Sequence, residues 1–413
     1  MKLGFICLNL PGHLNPMTAL ARHLQARDHE VVFLYSPRAN GLPCVPGNIR
    51  DPFNENRAEV SKLQGEDALA FSVGLIVRRT EAMLESMPDM LEATGVDALI
   101  IDHIQFYAEL VPMKLGLPYI HAAVAMHCDY SGYTPLSIYG DPHLTAPEAI
   151  ARNRQGVVKF AKMIQNDGVK AYARNAGFKI NWQDPGFTLS KIASLSQTPR
   201  EFDFENSHWP SQFRHTGPFH DGKGREAVNF PWERLTGEPL IYASMGTILN
   251  GQVEVFRTLV AGVAKHKGVQ LVLSIGDQLE PEQIGPVPSN AIIVRRAPQL
   301  DLLRLASVCI THSGLNTVLE CLAQGVPHVA IPITFDQPGI AARIAHHKTG
   351  VVTSLDKLTA THLANLLGEV LSDATYRENA RRIQKAIVNT NGLSLASDLV
   401  EQSLEATTTA NVA

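Results

Sequence analysis

Two residues far apart in the chain, His13 and Asp102, have the types and the local context of a catalytic pair. His13 follows the apolar segment LGFICLN, and Asp102 ends the apolar segment VDALIID. Both segments are typical of buried strands in a parallel sheet, so both side chains should lie at the carboxyl edge, where open α/β sheets bind ligands. A carboxylate next to a histidine fixes its tautomer and keeps it basic. Such a pair could remove a proton from an alcohol, although a chain with 16 histidines does not single out His13 by position alone.

A second group of polar residues lies between residues 296 and 337, where strand-like and helix-like segments alternate. The apolar segment SVCIT ends in a glycine turn, and a short helix should follow until Gly325 and Pro327 stop it. A strand, a glycine turn and a helix N-terminus present free backbone N–H groups and a positive dipole end to a phosphate. The residues that could bind a diphosphate there are His312, Ser313, Gly314, Asn316 and Thr317.

Three further positions in this stretch suit the hydroxyl groups of a sugar nucleotide. Glu320 lies one turn beyond Asn316 on the same helix face, where its carboxylate could accept hydrogen bonds from a ribose diol. Asp336 and Gln337 follow the next apolar strand and should reach the same crevice, with acceptors and donors for a sugar. Taken singly, each residue is more typical of an ordinary strand–helix–strand unit with capping residues.

The elements that must position these residues follow from the apolar pattern. Asn15 followed by Pro16 predicts the start of the first helix, so that His13 would lie in the turn before it. In the second half, the strand-like segment LIYAS ends in a further glycine turn that contains Thr247. The alternation of strands and helices in both halves predicts an α/β protein built on parallel sheets.

The domain boundaries follow from the only long polar stretch in mid-chain that is rich in Gly and Pro, at residues 220–239. We predict a first domain at 1–219, a linker at 220–238 and a second domain at 239–390. A last helix at 391–413 should return to the first domain and end in a frayed tail.

Taken together, these motifs resemble those of the UDP-glycosyltransferases. The nucleotide-sugar signature is carried by Pro298-Gln299, the His-x-Gly-x-Asn-Thr turn at 312–317, Glu320, Gly325-Val326-Pro327 and Asp336-Gln337. The Gly-His-x-Asn-Pro turn is similar to the catalytic histidine motif of the family, and the Ile-Ile-Asp-His segment to the strand whose aspartate orients that histidine. The resemblance implies the GT-B fold, in which two Rossmann-like domains face each other across a cleft.

The family resemblance also implies an inverting transfer from a UDP-sugar. His13 would be the general base and Asp102 its partner, while Glu320 would favour a ribonucleotide over a thymidine diphosphate sugar, which lacks the 2′-hydroxyl. The implied donor contacts are His312, Asn316, Thr317 and Thr247 on the diphosphate, Glu320 on the ribose, Asp336 and Gln337 on the sugar, and Gln299 and the backbone of Ala297 on the uracil. Arg296 stands where plant relatives have a tryptophan that stacks on the base, and a guanidinium can also stack there.

Composition excludes several other classes. The chain has 413 residues, 45% of them hydrophobic and 18% charged, with a net charge of −4 and no basic cluster, so we expect no nucleic-acid partner. Five widely spaced cysteines without a C-x-x-C pair, and the lack of a signal peptide or a long apolar run, predict a cytoplasmic protein. Without an Asp-x-Asp motif we expect no metal and no cofactor besides the UDP-sugar co-substrate. We expect a monomer or a weak dimer.

The acceptor is the least determined part of the prediction. Apolar residues in and near 40–80 and 125–150 should line its pocket: Phe71, Met83, Met87, Met126, Tyr130 and Tyr133. The segment 68–77 is either a buried helix, or an apolar wall of this pocket or a lip that touches a membrane. The predicted acceptor is a lipophilic phenol, terpenoid, carotenoid or polyketide such as a macrolide, and the predicted sugar is glucose. The alternatives are a UDP-sugar epimerase of similar fold and a non-catalytic subunit that binds nucleotide sugars.

Overall fold

The computed structural model describes residues 1–246 and 251–412, and its strands form two separate parallel sheets. The first sheet has seven strands in the order β3-β2-β1-β4-β5-β6-β7, and the second has six in the order β10-β9-β8-β11-β12-β13. The strands of the first sheet are β1 (Lys2–Ile6), β2 (Glu30–Leu34), β3 (Cys44–Val45), β4 (Ala98–Asp102), β5 (Tyr119–Ala123), β6 (Ser194–Ser196) and β7 (Phe213–His215). Those of the second are β8 (Leu240–Ser244), β9 (Gln270–Ser274), β10 (Ala291–Val294), β11 (Ala306–Thr311), β12 (His328–Ala330) and β13 (Gly350–Val352).

Helices cover both sheets, as the burial of the strands requires. In the first half they are α1 (Pro11–Gln25), α2 (Pro52–Glu55), α3 (Arg57–Val60), α4 (Gly65–Thr94), α5 (Leu110–Leu115), α6 (Pro147–Met163) and α7 (Asp167–Asn175). In the second half they are α8 (Val253–Val263), α9 (Gln299–Leu305), α10 (Leu315–Ala323), α11 (Gln337–His346), α12 (Ala360–Ser372), α13 (Ala374–Thr390) and α14 (Gly392–Val412). No helix of the part described is both long and apolar enough to cross a bilayer.

Strands β1 and β4 are neighbours at the centre of the first sheet. Leu3 pairs with Ala98 and Ile6 with Ile101, so the two strands end at the same level. The chain runs outward from β1 through β2 to β3 on one side and then crosses to β4 on the other side of β1, which makes this the point where the strand order reverses. Ligands of open α/β sheets bind at such a point, and both β1 and β4 deliver their next residues to it.

The first helix begins five residues earlier than predicted. Helix α1 starts at Pro11, with Leu10 in extended conformation as its N-cap, and Pro16 lies inside the helix. Pro11 at the first helical position needs no hydrogen-bond partner for its nitrogen, which favours this start over the one at Asn15. His13 therefore lies in the first turn of α1, on a rigid element, and the prediction that it lies in a turn before the helix was wrong.

Residues 68–77 belong to one long helix, α4, which continues without a break to Thr94. Its inner face, which includes Val73, Ile76, Met83 and Met87, is buried in the hydrophobic core of the first sheet. The interpretation of 68–77 as a buried helix is thus confirmed.

Helix α14 packs against α1 of the first half of the chain. His23 Nδ1 lies 2.9 Å from the hydroxyl of Ser397, and Arg27 Nη1 donates to Asp398 at 2.6 Å and to Glu401 at 2.9 Å. On its inner side, the buried residues of α14 join the core between α1 and the first sheet: Leu393, Ala396, Val400 and Leu404. The helical backbone continues to Val412, through the residues that we expected to fray.

Candidate active site

The structure brings His13 and Asp102 together at the carboxyl edge of the first sheet. His13 Nδ1 lies 2.7 Å from Asp102 Oδ2, although the two residues are 89 positions apart. Asp102 is fully buried, whereas the side chain of His13 keeps 16% of its surface exposed. A buried carboxylate thus holds an imidazole whose ring a substrate can still reach.

The surroundings of this pair make His13 a stronger base than a free histidine. Burial is the largest effect on His13 and lowers its pKa, but the charge of Asp102 and the hydrogen bond between them outweigh it and raise the pKa above its ordinary value. Burial also opposes the ionisation of Asp102, but His13 and the hydrogen bond from His103 hold the pKa of Asp102 well below its usual range. The pair can therefore accept a proton at the imidazole and stabilise the imidazolium that results.

A glycine-lined turn at the end of β11 holds His312 in the second half of the chain. Ser313 adopts a left-handed conformation with φ 68°, and Gly314 is the N-cap of α10. A Cβ atom on Gly246 or Gly314 would lie 2.5 or 2.6 Å from His312 Nε2, so both positions require glycine. Burial lowers the pKa of His312 to about 4, which makes the ring neutral at pH 7.

Two polar atoms of this turn are buried without a hydrogen-bond partner in residues 1–246 and 251–412: His312 Nδ1 and Ser313 Oγ. Buried polar groups normally have partners, so a turn with two such atoms beside a helix N-terminus suits a ligand rich in oxygen atoms. Thr247, which was predicted to contact the same diphosphate, lies outside the described residues.

Asn316, at the start of α10, connects the glycine-lined turn at His312 with the first turn of α1, which contains His13. Its Nδ2 donates to the carbonyl oxygen of Gly12 at 2.5 Å, and its Oδ1 accepts from Gln197 Nε2 at 3.0 Å. The Gly12 carbonyl is available because Pro16, four residues later in α1, has no N–H to donate to it. A proline inside a helix thus leaves an acceptor that the second domain uses.

Glu320 and Gln299 form the next polar group along α10. The Glu320 side chain is buried; Gln299 Nε2 donates to its Oε2 at 2.6 Å, and Thr317 Oγ1 lies 3.4 Å from the same Nε2. Gln299 Oε1 in turn accepts from the hydroxyl of Tyr242 at 2.9 Å. The other Glu320 oxygen, Oε1, forms an ion pair with Arg225 of the linker. Sequence reasoning did not find Arg225, because we judged the linker only by its polar, flexible composition.

Asp336 and Gln337 lie at the start of α11 and face different groups. Asp336 Oδ2 accepts from the backbone N–H of Met126 in the first domain at 2.8 Å. Burial raises the pKa of Asp336, and the Met126 hydrogen bond and the charge of His13 oppose that rise. Gln337 Oε1 accepts from the backbone N–H groups of Ile333 and Thr334 at 2.8 and 3.1 Å.

Arg296 lies at the outer edge of the site, next to the half-buried Ala297. Its guanidinium pairs with Asp277 at 2.7 Å and with Glu226 of the linker at 2.6 Å, and its side chain is 56% exposed. A depression of about 580 Å³ borders it, which is the size of a small-molecule site. Arg296 is thus placed where a planar group could stack on it, but its charge already has two carboxylate partners.

The predicted acceptor residues separate into two groups. Phe71, Tyr130 and Tyr133 are partly exposed, as a pocket wall requires. Met83 and Met87 have no exposed surface and Met126 has 1%, so these side chains pack in cores and do not line an open pocket. Their placement in a pocket wall is the part of the acceptor prediction that the structure contradicts. The reason is that α4 turns Met83 inward, where its sulfur lies 3.3 Å from Arg79 Nη1.

A buried ionic cluster joins α11 to the first domain. Arg343 Nε and Nη2 both lie 2.7 Å from Asp203 Oδ1, and His127 Nε2 lies 2.9 Å from Asp203 Oδ2. Burial opposes the ionisation of Asp203, but Arg343 and His127 hold its pKa far below the usual range. Because Asp336 is the N-cap of α11 and Gln337 is its first residue, this cluster fixes the orientation of the predicted sugar-binding residues relative to His13.

Comparisons with known proteins agree with this geometry. The family model for "UDP-glucoronosyl and UDP-glucosyl transferase" matches residues 234–388. The chain is 31% identical to an uncharacterised UDP-glucosyltransferase, YojK, of Bacillus subtilis (strain 168), over 95% of each chain. It is 26% identical to zeaxanthin glucosyltransferase of Pantoea ananas, over 94% of this chain and 93% of that one. The crystal structure of the glycotransferase of kitacinnamycin superposes with a TM-score of 0.74 at 23% identity, over 97% of this chain and 98% of that one.

Proposed function

The chain belongs to the UDP-glucoronosyl and UDP-glucosyl transferase family, has the GT-B fold and is a glycosyltransferase, and we propose that it transfers glucose from UDP-glucose to a hydroxyl of a lipophilic small molecule with inversion. The observation that carries this proposal is the contact between the two halves of the site. Asn316 of the donor turn donates to the carbonyl of Gly12, the residue before His13. A sugar held at that turn would therefore lie close to the base.

In the proposed reaction, His13 removes the proton from the acceptor hydroxyl while the oxygen attacks the anomeric carbon, and UDP departs. Asp102 stabilises the imidazolium. The N-terminus of α10, with about half a positive charge, and the neutral His312 stabilise the leaving diphosphate. This arrangement supports a transfer in which the chain's own groups meet the charge of the leaving group, without a metal ion.

The lipophilic acceptor is proposed from a relative and from the pocket residues. The zeaxanthin glucosyltransferase acts on a carotenoid, and Phe71, Tyr130 and Tyr133 offer partly exposed aromatic surface. All five cysteines lie in the described part of the chain and are free thiols, which supports the proposed cytoplasmic location.

The test is the release of UDP from UDP-glucose in the presence of a mixed library of phenols, terpenoids, carotenoids and macrolides, with mass analysis of the products. We expect glucosides to form with the wild type and to be lost with His13→Ala, while that variant still binds UDP. Conversion of the UDP-sugar without any acceptor would instead indicate an epimerase. Binding without turnover across the library would indicate a non-catalytic subunit.

A further inference from the structure

The start of the linker, residues 220–226, is held in place across the cleft by ionic contacts. On the first domain, Arg22 of α1 binds Asp221 through two hydrogen bonds of 2.6 and 3.0 Å and donates to the carbonyl of Lys223 at 3.2 Å. Gly224 has φ 71°, and a Cβ there would lie 2.7 Å from Arg22 Nη1. The segment thus lies directly on α1, which carries His13, and its next residue points to the second domain.

That next residue, Arg225, binds the carboxylate of Glu320. Its Nη2 forms an ion pair with Glu320 Oε1, while Gln299 Nε2 holds Oε2. The Glu320 side chain is 1% exposed and that of Arg225 is 31% exposed. Because the Glu320 side chain is buried and both of its carboxylate oxygens have partners, a ribose hydroxyl can bind Oε1 only if Arg225 leaves it.

We propose that Arg225 is a donor-specificity residue, which lowers the preference of the enzyme for ribose over 2′-deoxyribose in the nucleotide. The inference rests on the proposed function, in which Glu320 binds the ribose. A ribonucleotide displaces Arg225 and donates hydrogen bonds from two hydroxyls to Glu320. The favourable binding free energy of these hydrogen bonds is reduced by the loss of the ion pair between Arg225 and Glu320. A 2′-deoxynucleotide has only the 3′-hydroxyl at this position. It leaves the ion pair of Arg225 with Glu320 in place and does not bind Glu320. The two nucleotides consequently bind more equally than Glu320 alone would allow.

The size of the effect follows from the ion pair. Hydrogen bonds to charged groups are worth more than neutral ones, but one partner here is partly exposed, so screening reduces the value. We expect removal of the guanidinium to raise the preference for ribose by about threefold to tenfold. Any long-range attraction between Arg225 and the diphosphate acts on both nucleotides and cancels in the ratio.

The experiment measures the dissociation constants of UDP and 2′-deoxyuridine diphosphate by calorimetry on the full chain, because this pair keeps the base and the diphosphate constant. Arg225→Ala should raise the ratio of the dissociation constant of 2′-deoxyuridine diphosphate to that of UDP. Arg225→Gln should do the same without the loss of side-chain volume. Lys223→Ala is the matched control, since it removes the same charge two residues earlier, where the side chain is exposed, and should leave the ratio unchanged.

Glu320→Gln supplies the second half of the test. Alone, it should reduce the preference for ribose relative to that of the wild type. The double variant Glu320→Gln/Arg225→Ala should then have nearly the same ratio as Glu320→Gln. The proposal is overturned if the ratio stays the same or falls in both Arg225→Ala and Arg225→Gln, or if Lys223→Ala changes it as much. Failure of the wild type to bind UDP at all would instead overturn the proposed function, and the inference with it.

Discussion

Replacing Asp102 with asparagine should slow transfer strongly and shift its pH dependence toward lower pH. In the proposed reaction, transfer needs His13 in its neutral form, and Asp102 raises the pKa of His13 above its ordinary value against the opposing effect of burial. Without the carboxylate charge, burial remains and lowers that pKa. The acid limb of the pH profile of kcat should therefore lie at lower pH in the variant, and the plateau above it should be lower.

The size of the loss can be worked from the geometry of the pair. In the transition state His13 becomes positively charged, with its Nδ1 2.7 Å from Oδ2 of a fully buried carboxylate. Two such charges with centres about 4 Å apart attract each other by about 4 kcal/mol at an effective dielectric constant of about 20. Since about 1.36 kcal/mol corresponds to tenfold in rate, Asp102→Asn should cost about 10³-fold in kcat.

The assay is the initial rate of UDP release at saturating UDP-glucose and acceptor, measured from acid to alkaline pH for the wild type, Asp102→Asn and His13→Ala. UDP affinity, measured by calorimetry, serves as the control and should stay near the wild-type value because Asp102 lies in the first sheet. A loss of less than about tenfold, or an acid limb that moves to higher pH, would refute the assigned role of Asp102.

Four further predictions concern the contacts between the domains and the leaving group. Asp203→Asn should lower the free energy of unfolding by about 3–5 kcal/mol in denaturant titrations, because it leaves the buried Arg343 without its charge partner. Since the pKa of Asp203 is depressed in the folded protein, the wild type should also lose stability as pH falls below about 4, and a flat profile there would contradict this. Gly339→Ala should lower kcat and enlarge the radius of gyration seen by X-ray scattering, because the new Cβ would lie 2.5 Å from Ser137 Cα and against its carbonyl oxygen, across the domain contact. Activity should be unchanged in EDTA if α10 and His312 stabilise the leaving group as proposed; strict dependence on an added divalent ion would contradict that proposal.

Much of the architecture follows from local signals in the sequence. The strands are short apolar runs that end at turns, and His13 and Asp102 each follow such a run, so their meeting at one sheet edge could be expected from the order of elements. The start of α1 could not be read so simply. Pro11 and the Asn15-Pro16 pair both fit the start of a helix, and only packing decides between them.

Contacts that depend on how the linker and the two domains pack together were beyond sequence reasoning. The ion pair of Arg225 with Glu320 joins residues 95 positions apart, and no spacing in the linker indicates it. Met83 and Met87 were assigned to a pocket wall by residue type, yet the direction of each side chain depends on the rotation of α4 against the sheet. The backbone path was predictable where periodicity is strong, whereas partners across the cleft depend on how the two domains dock.

The return of α14 onto α1 makes the second domain, in topological terms, an insertion within the first. The buried face of α14 completes the core of a domain whose other elements end before residue 220. A recombinant enzyme that combines the acceptor domain of one relative with the donor domain of another therefore needs two crossover points, one in the linker and one at Asn391. That residue, with φ 50°, separates α13 from α14. A chimera with a single crossover would join α1 to a foreign α14, and its solubility would depend on how well that one helix interface matches.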